Sequence, residues 1–526
     1  MNVVSWQPDT PSFNSFEDTR GGTGPLTTNY TDGCDGRFRG VLQLGPLGTN
    51  VDLSAAGGTT ANANGGAFSE GIDAAEKLVV IRGTKPALIK LSTHLNVADG
   101  SGAAFAAAAT DIIYTYSAGG TEEISVATGD NSYEVMTAVP DTGGYTKSAN
   151  NESIHNQIFG RVGSKNATGQ IVGLGFASNV QNIVRTNILT GSTTMDASAW
   201  STRETLSGFK GIFTGFINVN GAWFVGTDAG PYYLNDDFQT FEPLIPSLTR
   251  SSNHCKNMRE HPSLGVIIPL ERGIRIFRSV NDNDNVGPDQ FWNNTSGVQG
   301  RLVSQCYSDQ WLYWAIQNSI TDTVYICAVR PRRDGDAHAN KLSYYPILTL
   351  SAVDCDFMEF AGTKGSQTNP TVYYGRDSDA GWFIEGRGNR FPDDQNCTYA
   401  ASGSWSGTQI RRHRGQNIVP KAFRVRTSGC TSSETVTLSV DYLDHTGSSK
   451  NHAIGAPITS NGVHWLEVTK DKQISTEFLA PKLSLARGGT TTNTPRVLGE
   501  IEMFYELAEM KDAGGRTLTQ VGVRSA

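Results

Sequence analysis

The sequence predicts an all-β protein made of many short strands, and three observations predict it. Gly supplies 58 of the 526 residues, well above the usual ~7%. Charged residues make up 18%, below the usual ~25%, while Ser, Thr and Asn are abundant. One local grammar also recurs along the chain: an apolar run, a short turn rich in Asp, Asn or Gly, then a second apolar or aromatic run.

"NGAWFVGTDAGPYYLNDDFQTFEPL" (220–244) is the template for that grammar. "GVIIPLERGIRIFRS" (265–279), the run 309–329, "TVYYGRDSDAGWFIEG" (371–386), "KLVVIRGTKPALIKLS" (77–92) and the run 157–177 repeat it, which makes six hairpins. First strands near Trp223, Val266, Leu312 and Val372 recur at roughly 40 to 60 residues, the spacing of four-stranded propeller blades. A single blade cannot bury both faces, and radial packing lets neighbours bury them. The expected architecture over 76–405 is therefore a β-propeller of about six blades, with a pair of β-sandwiches as the rival. The stretch 101–113 reads as a helical turn or a buried strand, and 396–407 as a last propeller strand leading into a polar connection.

Past residue 405 the texture changes to strict alternation. Val436, Leu438, Val440 and Tyr442 interleave with Thr437, Ser439 and Asp441, and Phe423 and Val425 with Arg424 and Arg426. One buried and one wet face predicts a C-terminal antiparallel β-sandwich over 406–510, followed by a tail, 511–526. Residues 1–75, rich in Pro and Gly yet bearing Trp6, Phe13, Phe16 and Phe38, read as an extended N-terminal arm that orders against a neighbour.

The chemistry is mostly exclusion. A net charge of −8 argues against a protein that coats nucleic acid. No apolar run is long enough for a membrane span, and the start lacks a secretory leader, so synthesis in a cytoplasm is expected. The seven cysteines form no CxxC pair and read as buried thiols; the nine histidines have no metal spacing. Nucleophile-elbow, zincin, Walker and dinucleotide motifs are missing, and the acidic loops 32–36 and 279–292 lack the calcium-loop spacing. Neither a cofactor nor a catalytic residue nor a metal site is expected.

"LNDDFQTF" resembles the Asp-box of sialidase-type propellers, with Asp236, Thr240 and Phe241 matching in kind and Leu234 and Phe238 departing from the pattern. Such a box stabilises a turn and performs no catalysis. Glycoside hydrolysis would need two placed carboxylates, or a Tyr nucleophile with its own base and an Arg cluster. Two basic runs are candidate contact patches: Arg330, Arg332 and Arg333 in "RPRRDG", and Arg411, Arg412 and Arg414 in "IRRHRG". They suit phosphates, an acidic neighbour, or an ion-pair seam between domains.

A Pro/Gly-rich arm, a divergent propeller without enzyme motifs and a trailing sandwich together resemble bacteriophage tail proteins, in character the nozzle or tail-tip propellers of short-tailed phages. That resemblance implies a non-enzymatic structural virion protein, made in the host cytoplasm and located in the tail. It implies a homo-oligomeric ring, usually of six copies, between adaptor or portal proteins and fibres, through which DNA passes without sequence-specific binding. The alternative is a receptor-binding tail protein that recognises host-surface glycan through Trp405, Tyr442, Trp465 or Tyr505, or, further off, a propeller-type glycoside hydrolase.

Overall fold

A computed structural model describes residues 1–11, 26–38, 40–56, 61–69, 76–98, 102–116, 122–128, 133–138, 145–150, 158–163, 169–174, 182–185, 204–205, 211–219, 222–234, 241–245, 248–286, 300–308, 311–318, 320–331, 342–362, 369–385, 397–411, 416–444, 447–469, 474–476 and 478–509. Among them the protein is all-β, with one helical turn, the 3-10 segment Ser54–Ala56. The strands form seven four-stranded sheets and one thirteen-stranded sheet.

The four-stranded sheets, here sheets I to VII, follow one another along the chain. Sheet I starts at Ala63–Ser69, sheet II at Asp111–Tyr116, sheet III at Ile158–Gly163, sheet IV at Phe213–Val219, sheet V at Arg259–His261, sheet VI at Arg301–Tyr307 and sheet VII at Met358–Phe360. All are antiparallel. Their first strands touch in chain order, and that of sheet VII touches that of sheet I. Each of the six hairpins read from the sequence lies inside one of these sheets, for example Ala222–Thr227 with Gly230–Leu234 in sheet IV.

Sheet II is the one the hairpin grammar missed. Its strand "DIIYTY" follows an Ala-rich stretch that has no helix, and its apolar residues, such as Ile124 and Val126, come in short runs between Ser, Thr and Glu. Sheet VII closes differently from expectation as well. Its fourth strand is Thr49–Val51, from far upstream, whereas Ser402–Gly407 joins the thirteen-stranded sheet, where Trp405 is fully buried.

Burial patterns separate the two kinds of sheet. Leu78, Val79, Val80 and Ile81 of sheet I are all fully buried, and so is every residue from Tyr313 to Ile316 of sheet VI. A strand can hide successive side chains only if both faces of its sheet are covered. The covering is mutual: Phe224 of sheet IV packs with Val266 and Phe277 of sheet V, and Ile276 of sheet V with Trp314 of sheet VI. Tyr313 of sheet VI packs with Phe383 of sheet VII, and Tyr373 of sheet VII with the core of sheets I and II. In Thr435–Leu443, by contrast, Val436, Leu438 and Val440 are buried and Thr437, Ser439 and Asp441 are half-buried, the alternation expected of a half-covered strand.

The thirteen-stranded sheet runs in the order Cys34–Asp35, Val41–Leu44, Arg496–Leu498, Gln416–Ser428, Ile501–Glu509, Asn2–Pro11, Leu26–Asp32, Ser402–Gly407, Phe478–Ala486, Thr435–Leu443 and Ser449–Ala453. Ile410–Arg411 adds to Phe478–Ala486, and Gly462–Glu467 to Gln416–Ser428. Leu42 near one end of this order and Val440 near the other share one core, so the sheet folds over on itself. The segment 1–75, expected as an extended arm, instead supplies strands to this sheet, to sheet VII and to sheet I. Trp6 is the reason: its indole is fully buried and its Nε1–H donates to the Thr408 carbonyl at 2.8 Å. Gly407 makes room for it, since a Cβ there would lie 2.7 Å from the indole. Phe13 and Phe16 lie outside the described residues.

His94 ties sheet I to sheet VII. Its ring stacks on Trp382 at 3.9 Å, and Nδ1 lies 2.6 Å from the Tyr373 hydroxyl. Burial holds the imidazole below its ordinary value near 6.5. The unfolded chain therefore takes up a proton first as pH falls, so stability is fully present above about pH 6.5 and declines below it. Denaturation midpoints between about pH 7.5 and 5 should fall, and fall less in His94→Gln; an equal slope in the variant would remove His94 from the account.

Candidate functional site

Among the described residues a dense polar arrangement lies where the thirteen-stranded sheet meets sheets VI and VII. Asp35 closes the strand Cys34–Asp35, and Arg37 follows in the Gly-rich run "DGCDGRF". Ser308 and Trp311 sit in the turn of sheet VI before Tyr313, and Glu385 follows the last strand of sheet VII's own hairpin, Asp379–Ile384. A tight local loop fixes the turn: the Ser308 N–H donates to the Trp311 carbonyl at 2.8 Å, and the Trp311 N–H to Ser308 Oγ at 3.1 Å.

Arg37 donates from Nε to both Asp35 oxygens at 3.0 and 3.1 Å, and from Nη2 to Oδ2 at 2.9 Å. Its Nη1 donates to the Tyr313 hydroxyl at 2.9 Å. The Tyr313 O–H in turn donates to Glu385 Oε1 at 2.6 Å, and Ser308 Oγ to the same oxygen at 2.5 Å. Both side chains of the Arg37–Asp35 pair are 3% exposed, and Tyr313 is fully buried. Burial alone would lower the Arg37 guanidinium, but the carboxylate of Asp35 more than offsets this and keeps it above its ordinary value. The Tyr313 phenol is raised, by burial first and by Glu385 second.

A tyrosine beside a carboxylate and an arginine is the grouping that hydrolysis through a Tyr nucleophile would use. Here it is set against that chemistry. An activated nucleophile has a lowered pKa or a base waiting to take its proton at an open face. Tyr313 has a raised pKa and no exposed surface. The arrangement is a joint between modules in which each charge meets an opposite charge or a hydrogen-bond partner.

Arg330 belongs to the same corner. Its guanidinium lies 5.0 Å from the Trp311 ring, with Nη2 donating to the Tyr345 hydroxyl at 3.2 Å, while Arg37 lies 5.6 Å from the same indole. Of the sequence's basic patches, Arg330 is thus held against rings at the seam. Arg411 lies in the strand Ile410–Arg411, and Arg332, Arg333, Arg412 and Arg414 lie outside the described residues. The Asp-box-like run falls between the third and fourth strands of sheet IV, as in the sialidase pattern; Phe241 opens the fourth strand, Phe241–Pro243, and Asp236 and Thr240 lie outside the described residues.

A second set of polar ties joins sheets V, VI and VII at or beside their first strands. Arg259 of sheet V forms an ion pair with Glu359 of sheet VII, past sheet VI. Asn257 Nδ2 donates to the Val303 carbonyl at 2.7 Å and to the Asp356 carbonyl at 3.0 Å. The loop before it lies against sheet IV, where a Cβ on Gly215 would be 1.9 Å from the Cys255 carbonyl oxygen. Cys255 and Asn257 adopt φ of 62° and 54°, a conformation rare for residues with a Cβ, held here by those contacts.

All seven cysteines are free and buried. Burial pushes the Cys355 thiol up to about 12 and raises those of Cys34, Cys255, Cys306 and Cys327 too, so they act as packing groups. Among the described residues, no group of three or more His, Cys, Asp or Glu is arranged to hold a metal ion, and no helix is long and apolar enough to cross a membrane.

The seam was not legible in advance because its members are spread from residue 35 to residue 385. The one local hint was Asp35 and Arg37 two residues apart beside aromatic Phe38. No family model and no curated protein matches the chain. Among solved structures, the chain is similar to BBS1N in complex with ARL6DN, with 10% identity, a TM-score of 0.31, and coverage of 46% of this chain and 72% of that one. It is also similar to the extracellular domain of a putative hybrid two-component system from B. thetaiotaomicron, with 10% identity, a TM-score of 0.42, and coverage of 84% of this chain and 60% of that one. At such scores neither likeness carries an argument.

Proposed function

We propose that this chain is a structural, non-enzymatic virion protein of a bacteriophage tail, a nozzle or tail-tip ring subunit in the genome-delivery path. In this reading the seven four-stranded sheets are the blades of a closed propeller, with Thr49–Val51 completing the last blade, and the thirteen-stranded sheet is the sandwich. The single observation that carries the reading is the buried joint of Arg37, Asp35, Tyr313 and Glu385. The boundary between two modules is a usual place for a ligand cleft. Here it is filled by matched charges closed to water, which suits a rigid building block.

The ties from Asn257 and Arg259 to sheet VII brace one side of the proposed ring and make each subunit stiff, so in this reading a subunit is wall and not pore. DNA would pass between subunits, around the axis of an assembly of about six copies, with adaptor or portal proteins on one side and fibres on the other. Each subunit carries a net charge of −8, so such a wall repels a polyanion and does not grip it. Head-to-tail contacts in a cyclic ring need two different complementary faces on each copy. Negative-stain microscopy of the purified chain should show rings with a central hole. Compact monomers at all concentrations would overturn the reading.

A further inference from the structure

We infer that the outer face of the thirteen-stranded sheet around Trp465 binds a neutral saccharide. Of the four aromatics that the sequence offers as stacking platforms, Trp405 and Tyr505 are buried in the core and Tyr442 packs against it. Trp465 alone is open, with 58% of its surface exposed. It lies in Gly462–Glu467, a strand that pairs only with Gln416–Ser428 among the described residues.

The indole is held in place rather than free to swing. Phe504 braces it from the strand Ile501–Glu509, across Gln416–Ser428, with ring centroids 5.0 Å apart, and the Arg424 guanidinium lies 6.0 Å from its centre. Arg424 is itself fixed by Glu502, its Nη2 donating to Oε1 at 2.7 Å. The register sets Trp465, Arg424 and Glu502 in one row across three strands. A fixed, exposed ring beside a fixed donor and a fixed acceptor offers a sugar an apolar platform for its C–H face and partners for its hydroxyls.

Charge and size select this occupant. Arg424 is matched by Glu502 and Lys421 by Glu506, while exposed Arg426 and Glu467 add one charge of each sign, so these described residues around Trp465 carry balanced charge. The exposed apolar surface of Trp465, Val463 and Val3, with part of Phe504, is on the order of 300–400 Å². A stable contact with a second copy needs about 800 Å² per partner, so the patch is the size of a few sugar rings.

The inference does not depend on the tail reading, and the test keeps the two apart. The full chain and its Trp465→Ala and Trp465→Phe variants are titrated with maltoheptaose, cellohexaose and chitohexaose by saturation-transfer NMR and calorimetry. At least one sugar should bind with a dissociation constant of about 1 mM, more weakly by at least about tenfold in Trp465→Ala and with partial recovery in Trp465→Phe. Thermal unfolding should be the same in all three, because the side chain is outside the core. Binding of none of the sugars at about 10 mM, or equal binding by the alanine variant, overturns the proposal. So does a change of oligomeric state in Trp465→Ala on sedimentation, which would make the face a contact between copies.

Discussion

Replacing Arg37 with methionine should destabilise the protein by about 3–5 kcal/mol, because it leaves the Asp35 carboxylate buried without its partner. Asp35 has no water to turn to at 3% exposure, and Tyr313 also loses the donor at 2.9 Å. Taking two charges out of water is expensive, and the pair is favoured in burial by its bidentate geometry and by the further bond from Nη1 to the Tyr313 hydroxyl. The double variant Asp35→Leu/Arg37→Met should recover most of the loss, since it removes both charges together. Tyr313→Phe keeps the ion pair and should cost less, about 1–2 kcal/mol, because Arg37 Nη1 loses an acceptor and Glu385 Oε1 loses one of its donors. Denaturant unfolding followed by tryptophan fluorescence reads all three. A loss below about 1 kcal/mol for Arg37→Met would mean that the pair behaves like a solvated surface contact and that the joint does not weld the modules.

Trp6→Ala should cost a further comparable amount, about 3–5 kcal/mol, in the thirteen-stranded sheet. Trp6 lies between the strands Ile501–Glu509 and Leu26–Asp32, paired to Ile501 on one side and Leu26 on the other, and its indole is fully buried in the core of the sheet. Its removal leaves a large cavity and takes away the hydrogen bond that Nε1 gives the Thr408 carbonyl. Trp6→Phe should lose less, because much of the ring volume stays. The same Trp→Ala change at position 465, in the same sheet, should be close to silent in stability, since burial and not residue type sets the cost. If Trp6→Ala unfolded at the wild-type midpoint, the N-terminal strand would not be an integral part of that sheet.

These two positions also mark how far the sequence could be read. Local patterns were sufficient wherever an element's partner is its neighbour in the chain. The hairpin grammar located the central strand pairs of five sheets and the first pair of sheet III, and the alternation from Val436 to Val440 fixed which side chains face the core. It failed at sheet II, whose strands follow an Ala-rich stretch and lack a long apolar run. It failed as well wherever a strand is completed from a distance. Thr49–Val51 is three residues with no periodicity to detect, and only Trp382 and its neighbours, more than 300 residues later, make it a strand.

What the sequence by itself determined is the all-β character, the sites of the local hairpins and the lack of any familiar catalytic motif. Those properties depend on turn chemistry and on side-chain period, which act over a few residues. Tertiary structure alone decided that the first strand lies in the middle of the last sheet, that Arg37, Tyr313 and Glu385 meet in a dry joint, and that Trp465 faces solvent while Trp405 does not. Each of those depends on which distant segment excludes water from a given face. Exclusion of water is a property of the packed whole and leaves no trace in the spacing of the residues it affects.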